Sequence, residues 1–394
     1  MKKVFNLLVS FVLIAGFSAC SKDDSGNQQQ EPEYPSPTPV PSADYKGLAF
    51  ISSGESTVRL AQVGTPYEIS LEYSTDESHW KPYTIGETIT LADSTFLLFR
   101  SGEHKNRKFS KDDENYYHFE ISGPISAQGN IMSLLNRDFS TPLTFYGFFA
   151  LFEGCTSLLS APELPATTME QGCYFGIFSE CTGLTSAPKL PANVLANNCY
   201  GWMFKGCSAL TSAPELPATE MGSYCYNGMF ANCTKLTSAP ELPAKRLESN
   251  CYNCMFEGCT SLTSAPELPA TYLVRECYHS MFNGCTSLAS APKLPATTLE
   301  WGCYSEMFQG CTSLTSAPEL PAKELIRNCY QLMFKDCSKL RYVKALFTTS
   351  PSEETTKDWL SGVAASGTFV KSKNATWNVT GVHSIPKGWK IETQ

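Results

Sequence analysis

The stretch 299-LEWGCYSEMFQGCTSLTSAPELPA-322 decides how this chain reads. Twenty-six residues earlier, from Leu273, stands LVRECYHSMFNGCTSLASAPKLPA, the same segment with its variable letters changed. The step holds without insertion. One cysteine series falls at 155, 181, 207, 233, 259, 285, 311 and 337, and a second at 173, 199, 225, 251, 277, 303 and 329. A fixed period of this size marks a solenoid, in which a coil that cannot bury its own apolar face stacks on its neighbours.

Within the segment, Leu299, Cys303, Met307 and Phe308 are spaced 4, 4 and 1, which predicts one face of a helix. Thr297 with Glu300, and Thr167 with Glu170, match a capping box. Gly310 and its equivalents Gly154, Gly206, Gly258 and Gly284, with Asn232 and Asp336 as variants, suit a left-handed helix end. Glu180 at the same position predicts strain. Ser313 to Ala317 reads as a short strand, and Pro318 and Pro321, lacking an N–H, should end its pairing. The expected fold is therefore an α/β solenoid of 26-residue strand-turn-helix coils. It should curve, because helices need about 8–10 Å between axes and strands about 4.8 Å.

The repeated elements MFxGCTSLTSAPELPA and LxxxCYxxMF resemble the BspA-like leucine-rich repeat surface lipoproteins of Bacteroidetes type. The resemblance covers about Phe145 to Leu340 and implies a curved solenoid with a role in surface recognition or adhesion. It names no ligand. After Leu340 the pattern gives way to RYVKALF. Lys357 to Val363 reads as helical, TFVK and GWKI as strands, and residues 341–394 as a cap for the open end.

Ahead of the repeats the texture differs. Between 45 and 136 the runs STVRLAQV, YEISLEYS, ETITLA, TFLLFR and YYHFEISG alternate apolar with polar residues, predicting about six or seven strands in a small all-β sandwich-like domain. Trp80 and Tyr83 are its expected core residues. Asp112, Asp113 and Glu114 lack the spacing of a calcium loop and read as a solvated hairpin tip. Phe145 to Phe152, with four phenylalanines and a tyrosine, should seal the solenoid against this domain.

Residues 1–19 read as an export signal: Lys2 and Lys3, an apolar run too short to span a membrane, then small residues before Cys20. The FSAC sequence resembles a lipobox, making Cys20 the expected lipid attachment point, and Ser21 to Asp24 resembles a surface-export tag. Residues 20–44 follow as a proline-rich tether. The expected location is the outer membrane, lipid-anchored and facing outward, with no other membrane contact.

A net charge of −8 without a basic patch argues against nucleic acid as a partner. The periodic cysteines read as small buried hydrophobes in preference to disulfides or metal ligands; Cys251, Cys254 and Cys259 give only one CxxC without a partner pair. The tyrosine after each second-series cysteine reads as packing in preference to a binding stripe. The column Glu163, Lys189, Glu215, Glu241, Glu267, Lys293 and Glu319 must face water. Five scattered histidines and no nucleophile, phosphate-loop or zinc motif point to no enzyme, no metal and no cofactor.

The residues that break the repeat, Glu170, Tyr224, Arg275, Trp301 and Arg327, are the candidate ligand surface. The leading expectation is a lipoprotein that binds a macromolecule, a host protein or another cell's surface. Rival expectations are a glycan-capture lipoprotein of a polysaccharide uptake system, a hydrolase with its site in the β domain, and a spacer.

Overall fold

The computed structural model describes residues 40–394. Cys20, the export signal and most of the tether lie outside the described residues. Among those described, no helix is long and apolar enough to cross a membrane.

Eight strands precede the repeats: β1 (Leu48–Ser52), β2 (Ser56–Val63), β3 (Leu71–Ser74), β4 (Lys81–Pro82), β5 (Thr88–Leu91), β6 (Phe96–Ser101), β7 (Tyr116–Ser122) and β8 (Ile125–Gln128). Each of the five alternating runs holds one. They form two antiparallel sheets, ordered β4-β3-β6-β1-β8 and β5-β2-β7. Phe50, Phe99 and Phe119 meet edge to face between them, with centroids 5.1 to 6.0 Å apart. Tyr83 is buried there as expected. Trp80 is not core: it is half-buried beneath the Arg100 guanidinium, 3.7 Å from its ring centroid. Asp112 caps the hairpin tip, accepting from the Glu114 amide and the Asn115 side chain.

The first sheet runs on into the repeats, because β8 pairs in parallel with β9 (Leu158–Ser160). The later coils contribute β10 (Val194–Leu195), β11 (Glu220–Met221), β12 (Ser316–Leu320), β13 (Tyr342–Ala345), β14 (Thr368–Lys371) and β15 (Lys390–Thr393). The last four make a parallel sheet.

The expected helices are absent, and the α/β solenoid is corrected to a β-solenoid. Among the described residues only α1 (Glu353–Thr356) and a 3₁₀ turn at Ile131–Leu134 are helical. The segment read as a helix is a ribbon of overlapping turns. In the seventh coil the amides of Cys303, Ser305, Met307, Gln309 and Cys311 each bond the carbonyl three residues back, at 3.0 to 3.3 Å. The alternate amides, of Gly302, Tyr304, Glu306, Phe308 and Gly310, donate to Arg327, Cys329, Gln331, Met333 and Lys335 of the next coil. No ribbon amide is left over, which is what a buried backbone requires.

Every second turn is of the kind that needs a positive φ at its third residue. Gly302, Glu306 and Gly310 supply it, at φ of 60°, 58° and 71°. Gly154, Gly206, Gly258, Gly284, Asn232 and Asp336 are left-handed as the sequence implied, and Glu180 is held there at φ 59°. What they terminate is a turn, not a helix. A residue in this conformation every fourth position cannot belong to an α-helix.

The correction removes the premise of the curvature. On the ribbon side successive phenylalanine rings from Phe152 to Phe334 stand 5.5 to 5.7 Å apart, and tyrosine rings from Tyr174 to Tyr330 stand 5.8 to 6.2 Å apart. That is close to strand spacing. The strand expected at Ser313 to Ala317 lies instead at Ser316–Leu320, and its pairing with β13 steps over Pro318 through a register shift between Ser316 and Glu319. Lys357 to Val363 is likewise turn ribbon: Leu332, Phe334 and Asp336 donate to Lys357, Trp359 and Ser361.

One apolar core runs through the described residues, from Leu48 to Trp389. Phe119 of β7 stacks on Phe152 at 5.3 Å, so the β sheets and the phenylalanine column share an interior. Of the aromatic run expected to seal this junction, Phe148 and Phe152 are buried, whereas Phe145 and Phe149 point outward.

Candidate functional surface

The interior of the coils is uniform. Cys199, Tyr200, Met203, Phe204, Cys207 and Leu210 are at most 1% exposed, and the equivalents repeat this through the eighth coil. Burying an apolar side chain of this size contributes about 1.5–3 kcal/mol, so these columns hold the stack together and are closed to ligands.

All 16 described cysteines are free thiols and 15 are buried. Cys155 donates to the Phe119 carbonyl of β7, and the rest of the first series to a ribbon carbonyl of the preceding coil: Cys207 to Phe178 at 3.1 Å, Cys259 to Phe230 at 3.1 Å, Cys337 to Phe308 at 2.9 Å. Burial pushes Cys207, Cys259 and Cys337 up to about 12, out of reach of thiolate chemistry. Cys251 and Cys259 lie inside the stack and Cys254 outside it, so the CxxC does not converge. Among the described residues no group of three or more His, Cys, Asp and Glu side chains is placed to hold a metal ion. The tyrosine row is interior. The hydroxyls of Tyr174, Tyr200, Tyr226, Tyr252, Tyr278 and Tyr304 have no hydrogen-bond partner.

Variation is therefore displayed outside, on two surfaces. Along the proline segments Glu163, Lys189, Glu215, Glu241, Glu267, Lys293 and Glu319 are all exposed. Between consecutive segments lie clefts of about 340 to 500 Å³, such as the one formed by Pro240, Leu242 and Pro243 with Pro266 and Pro269. They open because prolines cannot bridge coils with amide hydrogen bonds.

The other surface is the outward side of the turn ribbon. Arg275, Trp301 and Arg327 occupy the same place in the sixth, seventh and eighth coils. The Arg275 guanidinium lies 4.3 Å from the Trp301 ring centroid, a cation–π stack, and its Nε is 3.6 Å from Glu276. Arg327 makes no ion pair. Tyr272 and Ile326, exposed by 66% and 39%, flank the three. Glu170 in the second coil and Tyr224 in the fourth are exposed but stand apart from this group and from each other.

Reading by single letters missed Tyr272, Trp202 and Phe145, three of the most exposed aromatic residues. The first two were detectable as breaks in their own columns. His279, Ser280 and Glu306 also share the outward side: Glu306 is 3.8 Å from His279 Nε2 and accepts from Ser280 Oγ at 3.3 Å. The adjacent Cys254 thiol is raised well above its ordinary value by burial, with Glu257 adding to it, so the cluster holds no activated nucleophile.

A family model for the BspA type leucine-rich repeat region matches six copies, over residues 149–245 and 224–350. A search of curated proteins found no match. With a repeat that spans just over half of the chain and closes into one continuous solenoid core, the chain belongs to the BspA-type leucine-rich repeat family.

Proposed function

We propose that this is a cell-surface lipoprotein, anchored to the outer membrane through Cys20, whose solenoid captures a macromolecular ligand on the outward side of its turn ribbon. One observation carries the reading. The repeated Cys, Tyr, Met, Phe and Leu are buried, while most of the letters that change from coil to coil stand outside. Any stacked solenoid buries its repeated letters; a recognition surface uses the outward letters that this leaves free to vary. The family supports the coarser part, since leucine-rich repeats of this type commonly mediate protein binding and are not typically enzymes.

The favoured contact is Arg275–Trp301–Arg327 with Tyr272. Trp, Tyr and Arg are the side chains that most often dominate binding energy. Two guanidinium groups, one of them unpaired, suit an acidic stretch of a protein. Retention of matrix proteins and mucin by the immobilised chain, lost in the Arg275→Glu/Arg327→Glu double variant, is the expected result. No retention, or retention indifferent to both substitutions, overturns the assignment.

The second reading, glycan capture, is favoured by the half-buried Trp301 ring alone. Glycan-array binding that disappears in Trp301→Ala but survives the arginine substitutions separates it from the first.

A further inference from the structure

The two arginines of the capture surface are not equivalent. Arg275 is held on two sides: its guanidinium lies over the Trp301 ring at 4.3 Å, and its Nε stands 3.6 Å from a carboxylate oxygen of Glu276. Its side chain is nonetheless 63% exposed, which leaves the terminal edge of the guanidinium, with its two Nη atoms, to solvent. Arg327 occupies the same place two coils on. It is exposed, makes no ion pair among the described residues, and is followed by the neutral Asn328.

Glu276 is the fixed member of the group. Its amide donates to the Trp301 carbonyl at 3.0 Å, which ties its backbone to the coil that carries the ring. Its side chain leans over Gly302, where a Cβ would lie 3.2 Å from its Cγ, and is only 21% exposed. The carbonyls of Arg275 and Arg327 are tied in the same way, accepting from the amides of Asn250 and Gly302, each at 3.2 Å. Ordering a long side chain on binding costs entropy. Stacking and the Glu276 contact order Arg275 beforehand.

On the reading that this surface captures an acidic protein segment, we propose that Glu276 is a positioning residue. It holds Arg275 against Trp301, so that the free edge of the guanidinium receives one carboxylate of the ligand through two parallel hydrogen bonds. A planar edge with its Nε side occupied fits that group. The unanchored Arg327 supplies attraction at a distance, which acts on the rate of encounter and is screened by salt. The two arginines thus divide retention from encounter. The sign of one substitution separates this arrangement from simple charge attraction. If charge alone decides, removing the negative charge of Glu276 tightens the hold on an acidic ligand. If Glu276 positions Arg275, the same change loosens it.

Surface plasmon resonance of the full chain with poly-L-glutamate as the probe reads both rates. Glu276→Gln keeps the side-chain shape and is expected to raise the dissociation rate about threefold, the size of an exposed ion pair. Glu300→Gln, which removes the same charge from the exposed residue before Trp301, is expected not to weaken binding. Arg327→Gln is expected to slow association and reduce its salt dependence. A second readout needs no ligand. The Arg275 Nε–H proton resonance of the free chain should carry a ring-current shift that disappears in Trp301→Leu and shrinks in Glu276→Gln. A wild-type chain that ignores poly-L-glutamate overturns the capture reading and this assignment with it. Wild-type binding that Glu276→Gln leaves equal or tighter, or an Arg275 resonance indifferent to Glu276→Gln, overturns the role of Glu276 alone. Arg327→Gln acting only on dissociation overturns the division between the arginines.

Discussion

Gly176 sits in the middle of the second ribbon at φ 61°, and an added Cβ would meet nothing closer than the Ser179 Cβ at 3.9 Å. Gly176→Ala is therefore a pure backbone probe. In a turn ribbon, a side chain at this left-handed position costs about 1–2 kcal/mol. Reduced freedom of the unfolded chain offsets about 0.4–1 kcal/mol of that. The net expectation is a loss of roughly 0.5–1 kcal/mol. In a helix the same change would be a gain of about 1 kcal/mol, since Ala is the better helix former. The two architectures thus differ in sign, not only in size. Urea unfolding of the full chain, read together with hydrogen exchange of the second and third coils, measures the effect even if the array does not unfold in one step. Gly176→Asn should cost less than Gly176→Ala, because asparagine tolerates left-handed geometry. Stabilisation by alanine would refute the turn ribbon.

Three further outcomes follow from the interior and the amino terminus. Tyr252→Phe should stabilise the chain by about 1 kcal/mol, because it removes a buried hydroxyl that has no partner and keeps the stacked ring; a loss measured in the same urea assay would mean the hydroxyl is satisfied. The buried thiols should make the fold sensitive to alkali. Their folded pKa is raised, from 9.0 to about 12 for Cys207, Cys225, Cys259, Cys277, Cys329 and Cys337, so their contribution is complete below pH 9 and lost as pH rises toward 12. Each costs roughly 1.4 kcal/mol per pH unit in that window, and circular dichroism against pH should show cooperative unfolding well before the midpoint of any single folded thiol. Cys20→Ser should abolish incorporation of a radiolabelled fatty acid while leaving the fold intact; continued labelling would place the lipid elsewhere.

The repeat, the burial of both cysteine series and the outward glutamate–lysine column were legible in the sequence, because each depends only on the 26-residue step. The strands before the repeats were legible because alternation has one reading at that length. The helix was misread for a physical reason. Buried pairs recur every four residues, at Cys303–Tyr304 and Met307–Phe308, ending on Cys311. Over ten residues a period of four drifts too little from 3.6 to leave a helical stripe. Glycine held the missing signal. Gly172 and Gly176, four apart in one ribbon, with Glu180 four further on, are out of place inside a helix and in place in a ribbon that turns left-handed at each of them. Of the five proposed surface residues, Arg275, Trp301 and Arg327 fall together because they share one column; Glu170 and Tyr224 were chosen by rarity alone, which carries no information about neighbourhood.

The same left-handed positions constrain what the outward face can display. At six of them the side chain leans toward the next coil over a glycine: Tyr146 over Gly172, Glu180 over Gly206, Trp202 over Gly228, Asn232 over Gly258, Glu276 over Gly302, Asp336 over Gly362. A Cβ on most of these glycines would fall within 2.3 to 2.6 Å of the overlying side chain, a contact real Cβ atoms do not make. Glycine here does two things at once: it accepts the positive φ and it leaves the space the preceding coil fills. Elsewhere side chain follows side chain: Ser280 donates to Glu306 at 3.3 Å, and Asn198, Tyr224, Asn250 and Glu276 stand left-handed in four successive coils. Outward letters are therefore not chosen coil by coil. A change that enlarges the residue beneath one of these overhanging side chains is excluded unless the overhanging side chain shrinks with it, so at these six places the unit of variation is the pair of coils.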